Sequence, residues 1–261
     1  HNGRVIWLFG MQARRTPSAH PPDYREEDFP VEERLGEDIL QRWIMELLRP
    51  LIERWLVTRG SPSFVGADQF IYFDARQPAK RVAPDIYVLP GVALDTDVQS
   101  WKTWEARVVP SFALEVCSQD WRKDYEAAPA LHEQIGTQEL IIFDPRYEAR
   151  SDGLRFQRYE RVGDRLLRRE TTSEDRVPSR SLGCYLRLVG SGMHQRLRLA
   201  LHPDGEHLFP TGEEAERLAK EAERLAKEAE RQAKEAERQA KEAALARVAE
   251  LEALLKAQTS R

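Results

Sequence analysis

The chain predicts an α+β (mixed α/β) domain whose sheet has strands of mixed direction, with a long first helix packed on it and a second long helix appended at the end. Three observations carry this. From Ser111 to Phe143 an apolar strand, a short helix and a second apolar strand follow one another, which is a crossover unit and requires parallel pairing. Short strand-like segments separated by turn residues flank that unit and imply hairpins. From Ala215 a seven-residue unit recurs, AERLAKE twice and then AERQAKE twice, the signature of continuous helix.

Residues 1–30 read as an irregular arm, rich in Pro and charge from Arg14 onward. The first residue is His1, and the short apolar run Val5 to Met11 has neither the length to span a bilayer nor a cleavage site, so the expected translation start is Met11. A helix follows, in which Leu35, Ile39, Trp43, Ile44, Leu47, Leu51, Ile52 and Trp55 recur at three- and four-residue intervals. Pro50 is expected to kink or divide it. Phe64 to Phe73 reads as a strand, and Val82 to Leu89 as another that stops at Pro90-Gly91. A long connection with Trp101 and Trp104, read as cover for the sheet, leads to the strand Ser111 to Cys117. Asp124 to Ile135 is a helix closed by Gly136, and Leu140 to Phe143 is a strand stopped by Asp144-Pro145. Strands near 154–161, 166–169, 185–189 and 196–201 then suggest an antiparallel extension. The expected division is 1–30 arm, 31–210 folded domain and 211–261 charged helix.

In that last helix Ala215, Leu218, Ala222, Leu225, Ala229, Gln232, Ala236 and Gln239 form a thin seam that turns polar halfway. Glu216 to Lys220, Glu223 to Lys227, Glu230 to Lys234 and Glu237 to Lys241 are i to i+4 pairs in the favourable order, each worth ~0.2–0.5 kcal/mol. Two readings stay open: a coiled coil that makes a homodimer, and a solvated single helix.

The composition narrows the function. The 261 residues carry a net charge of -4 with 32 % charged residues. That balance argues against coating nucleic acid by bulk charge, so any DNA contact must be local. Two cysteines and six scattered histidines make neither a disulfide framework nor a zinc site, which points to a reducing, cytoplasmic compartment.

The chemistry is expected at Asp85, in RVAPDIYVL, and Glu115, in SFALEVC. An acid inside an apolar strand is costly unless it is paired or binds a metal. Two of them brought together by a hairpin make an oxygen-ligand pair suited to Mg²⁺ or Mn²⁺. Other readings are Asp85 capping backbone amides and Glu115 pairing with Arg81 or Arg122. Strand alternation puts Ala113, Glu115 and Cys117 on one face. This layout follows the nuclease signature Pro-Asp, gap, Asp or Glu, any residue, Lys, with Cys117 in the lysine place. His132 reads as a helix-surface or core residue. The arginines 155, 158, 161, 165, 168 and 169 read either as a phosphate-contacting stripe or as a solvated face balanced by Glu160, Asp164 and Glu170.

The runs APDIYVL, FALEVCS, the helix opening at Asp124, and GTQELIIFDP resemble the Uma-type family of candidate restriction endonucleases over most of residues 30–205. The resemblance implies the restriction-endonuclease-like PD-(D/E)xK fold and metal-dependent hydrolysis of DNA phosphodiesters. It further implies that Asp85 and Glu115 hold one or two Mg²⁺ (or Mn²⁺) ions. A third acid would come from Glu33 or Glu32, with Glu37 the alternative on helical grounds, and Asp68 could also face the site. Asp124 matches an acidic position at the helix opening. The lysine that members carry on the following helix corresponds to Ala128, which leaves Lys123 as the stand-in. Lys123 lies about 140° round an α-helix from Ala128, so the substitution requires a non-helical start. The alternative is a degenerate nuclease fold acting as a DNA-binding or assembly module, and a third reading is a coiled-coil adaptor.

Overall fold

In the first described helix, α1 (Ile39–Thr58), the residues Leu40, Ile44, Met45, Leu48, Leu51, Ile52 and Leu56 face the interior. Ile39 and Trp43 stay substantially exposed, so the buried stripe lies about one position round from the one the spacing suggested. The helix runs unbroken through Pro50. Pro50 and Glu46, whose carbonyl loses its partner, are both on the exposed side, where water can satisfy it. The molecule is described by a computed structural model covering residues 39–259 except 78, 151 and 152. The arm, Met11, Leu35 and the acids Glu32, Glu33 and Glu37 lie outside the described residues.

The expected strand Phe64–Phe73 is two strands. β1 (Phe64–Gly66) and β2 (Phe70–Tyr72) are separated at Asp68, whose φ of 60° is left-handed. The next expected strand also divides, into β3 (Arg81–Val82) and β4 (Ile86–Leu89). β2 leaves the main sheet to pair antiparallel with β3 and parallel with β5 (Ser100–Lys102) in a small sheet of its own. A short helix, α2 (Thr103–Ala106), ends the connection. Trp101 packs inward with its indole N–H on the Val108 carbonyl, whereas Trp104 is 39 % exposed.

The main sheet adds β6 (Phe112–Val116), β7 (Glu139–Phe143), β8 (Phe156–Val162) and β9 (Arg165–Thr172), in the order β1-β4-β6-β7-β8-β9. Within this sheet, β6 and β7 pair in parallel and the other described neighbours antiparallel, the parallel pair being joined by the crossover through helix α3 (Ala128–Ile135). Every residue of β7 is buried, as expected of a strand covered on both faces. Gly136, at φ 94°, closes α3 in the left-handed conformation that glycine adopts without strain.

The remaining strands do not extend the main sheet. β10 (Arg176–Ser179), β11 (Cys184–Val189) and β12 (Arg196–Ala200) form a separate antiparallel sheet. α1 is buried between the two, since Ile44, Leu48 and Ile52 share one core with Ile86, Leu114 and Phe143 and with Leu186, Leu197 and Leu199. Glu139 ties the sheets together: its carboxylate accepts from Ser179 Oγ at 2.6 Å and from the amides of Arg180 and Ser181, each at 3.0 Å. The chain ends in α4 (Gly212–Thr259). Leu218, Leu225, Leu245, Val248 and Leu251 on it are all about half exposed, and Glu223–Lys227 and Glu230–Lys234 close at 2.6 Å as i to i+4 pairs.

Candidate active site

β4 and β6 pair with Ile86 opposite Leu114. Asp85 immediately precedes that paired run and Glu115 immediately follows it on β6, close enough that the Glu115 charge acts on the Asp85 carboxyl. Asp85 is therefore not inside a strand, as the sequence suggested, but in the bend just before β4. Its two oxygens are anchored separately. Oδ2 accepts the Val116 amide at 2.5 Å, and Oδ1 accepts the Gln41 amide nitrogen from α1 at 2.6 Å. The backbone-capping role and the approach to Glu115 thus coexist.

Glu115 does not pair with Arg81 or Arg122. Its partner is His132, from the buried face of α3, with Nε2 3.0 Å from Glu115 Oε1. The other ring nitrogen lies 2.9 Å from Thr137 Oγ1. His132 is fully buried. Sequence reasoning allowed it a core position but missed this partner. The available signal was its place four residues after Ala128, on the helical face directed at the strand bearing Glu115.

The segment between β6 and α3 determines where Lys123 lies relative to Ala128. Pro129 has no N–H for the carbonyl of Tyr125, and its ring crowds that carbonyl. The preceding turn accordingly widens into a π turn, Lys123–Ala127, with the Ala128 amide reaching back five residues to the Lys123 carbonyl. An α-helical start would turn Lys123 well away from Ala128. Here both line one cavity of about 320 Å³, together with Glu115, Asp124, Arg81 and Leu131. Cys117, in the strand position of the usual lysine, is buried in the core with Ala113 and Leu140.

The electrostatics are those of crowded acids. Burial, and then the negative charge of Glu115, hold the Asp85 carboxyl well above its ordinary range, against the Val116 and Gln41 hydrogen bonds. Burial and the neighbouring Asp124 raise Glu115 to about 8, with the Lys123 ammonium pulling the other way. Asp124 is itself raised, chiefly by burial, although it accepts from the Ser118 amide at 3.0 Å. Burial pushes His132 down to about 3, so its ring is neutral. The Cys117 thiol is driven upward by burial and nearby acids, so no thiolate is available there.

Asp68 is near enough to raise both Asp85 and Glu115, and its amide donates to the Pro84 carbonyl at 3.0 Å. Among the described residues no group of three or more His, Cys, Asp or Glu side chains is arranged to hold a metal ion. The third acid expected at Glu33 is outside those residues. Most of the arginine stripe serves internal bonds. Arg158 pairs with Glu139, Glu160 and Glu170, Arg161 donates to the Thr137 and Glu133 carbonyls, and Arg165 and Arg169 pair with Glu133 and Glu160.

No curated protein matches the chain. Among solved structures, it is similar to a protein from Anabaena variabilis ATCC 29413 described as a putative nuclease belonging to DUF820. The identity is 14 %, the match covers 56 % of this chain and 75 % of that one, and the TM-score is 0.37. The model of the Uma2 family, whose description is "Putative restriction endonuclease", matches residues 31–189. That span takes in β1 to β11 with Asp85 and Glu115, the π turn and the crossover helix, and the chain belongs to the Uma2 family.

Proposed function

We propose that the chain is a Mg²⁺- or Mn²⁺-dependent DNA endonuclease that hydrolyses phosphodiester bonds, with Asp85 and Glu115 as metal ligands and Lys123 as the cavity's cation. Family membership supports a nuclease in general. The observation that carries the finer reading is the neighbouring buried acids Asp85 and Glu115, with Glu115 lining a cavity that also bears Lys123 and Arg81. Buried acids raised by burial and by neighbouring carboxylates, Asp85 by Glu115 and Glu115 by Asp124, are relieved by a divalent cation. The donor set fits Mg²⁺, which usually takes one or two carboxylates and keeps several waters.

Asp85 and Glu115 would hold the cation. When bound, it would polarise the phosphate and acidify a water. Around it the protein contributes fixed charge and shape. The Val116 amide and Gln41 hold the Asp85 carboxylate in place. Lys123 and Arg81 face the cavity where a phosphate would sit and favour the negative charge that grows there. The walls formed by Val82, Ala83 and Leu131 exclude part of the solvent and strengthen those interactions.

One observation favours a second reading, a catalytically silent DNA-binding or assembly module: the lysine places on β6 and α3 hold Cys117 and Ala128. DNA is the partner in either case, and α4 offers a seam for a second copy of the chain. None of the helices among the described residues is long and apolar enough to cross a membrane, in keeping with the cytoplasmic location we propose. Supercoiled plasmid incubated with Mg²⁺ or Mn²⁺ tests the choice. Metal-dependent nicking that Glu115→Ala abolishes supports the enzyme; no cleavage by a folded sample across metals and substrates supports the silent module.

A further inference from the structure

We propose that His132 is a positioning residue that holds Oε1 of Glu115 through its Nε2–H, leaving Oε2 as the oxygen Glu115 offers to a divalent cation. This rests on the metal reading above. The imidazole is fully buried, and both ring nitrogens are engaged, Nε2 with Glu115 at 3.0 Å and Nδ1 with Thr137 Oγ1 at 2.9 Å. An ionised carboxylate only accepts hydrogen bonds, so a metal-bound Glu115 requires the proton on Nε2. Nδ1 is then an acceptor, and the Thr137 hydroxyl must donate to it.

The backbone fixes that hydroxyl. Thr137 follows the left-handed Gly136 that closes α3, and its own amide donates to the His132 carbonyl at 3.1 Å. The helix cap therefore places a hydroxyl that can donate to Nδ1, the carboxylate takes the Nε2 proton, and that donor orients the ligand. Partners of this kind change metal affinity by about 10–100-fold when removed. A purely structural imidazole, serving only to fasten α3 to β6, would change stability and leave the affinity of the folded protein alone.

The experiment is Mn²⁺ titration of the full chain by calorimetry, on wild type, Glu115→Gln, His132→Leu, His132→Gln and Thr137→Val, with circular dichroism confirming that each is folded. Wild type should bind, Glu115→Gln should not, and His132→Leu should bind about 10–100-fold more weakly. His132→Gln, whose amide nitrogen can replace Nε2, should recover most of the affinity, and Thr137→Val should lose part of it. Nitrogen-15 NMR of the wild-type imidazole with saturating Mg²⁺ should show the proton on Nε2. If His132→Leu fails to fold, Thr137→Val and the NMR tautomer decide the matter. Wild-type affinity in folded His132→Leu, unchanged affinity in Thr137→Val, or a proton on Nδ1 with Mg²⁺ bound overturns the positioning role while leaving the metal reading intact. Wild type that binds no Mn²⁺ overturns both.

Discussion

Glu115→Gln should stabilise the metal-free protein at neutral and alkaline pH while abolishing metal-dependent cleavage. The Glu115 side chain is only 12 % exposed, and its carboxyl is raised from 4.5 to about 8. The folded state thus holds this proton more tightly than the unfolded state. Below about pH 4.5 the group is protonated in both states and costs nothing. Between about 4.5 and 8 stability falls as pH rises, by up to about 1.36 kcal/mol per pH unit, and above 8 the loss is complete. Over about 3.5 pH units the ceiling is about 5 kcal/mol. Relaxation of the site brings the expected gain to about 3 kcal/mol, a large part of a typical domain's stability. Glutamine carries no charge and keeps an oxygen for the His132 N–H. Urea unfolding in EDTA, from pH 5 to 9, should show the variant matching wild type at the acid end and exceeding it increasingly toward pH 8.5. A variant less stable than wild type at pH 8.5, or a difference that does not change with pH, would refute the reasoning.

The same titration bears on metal binding, since the ligand must shed its proton: apparent Mg²⁺ affinity should drop about tenfold per pH unit as pH falls below 8, read by calorimetry at several pH values. Lys123→Ala should lower the single-turnover cleavage rate by about 10²–10³-fold with little change in DNA affinity, as expected for a group that acts on developing charge. Arg158→Ala should destabilise the fold by about 3–5 kcal/mol in denaturant unfolding, because it takes the cation from the buried Glu139. Gly66→Ala would place a methyl on the Tyr87 ring, whose hydroxyl donates to Gln69 at 3.0 Å; a cost of about 1–3 kcal/mol should appear as a lower thermal midpoint.

The elements readable in the sequence were those that one local pattern determines. β6 and β7 are short apolar runs with sharp stops, α3 ends at the glycine that capped it on inspection, and α4 declares itself by repetition. Elements that depend on distant partners were not readable. Nothing in Phe64–Phe73 announces that Asp68 takes a left-handed φ and sends β2 to another sheet. β10, four residues with a proline in the middle, has too little pattern of its own and forms by pairing with β11. At the site, the two acids were visible because carboxylates are conspicuous among Val, Ile and Leu. His132 was not, because a lone histidine in a helix shows its role only when the helix is docked on β6. Pro129 was a usable signal for the π turn that went unused.

That turn makes the site sensitive to chain length in a way few substitutions could match. Deleting Glu126, an exposed residue, would let the segment regularise toward ordinary helix and rotate everything upstream by about 100°. Lys123 would swing off the cavity wall, while Asp85, Glu115 and His132, all anchored elsewhere, stayed where they are. The ammonium and the acids are thus mechanically separable: a change of one residue in length can retire Lys123 and preserve the carboxylate pair.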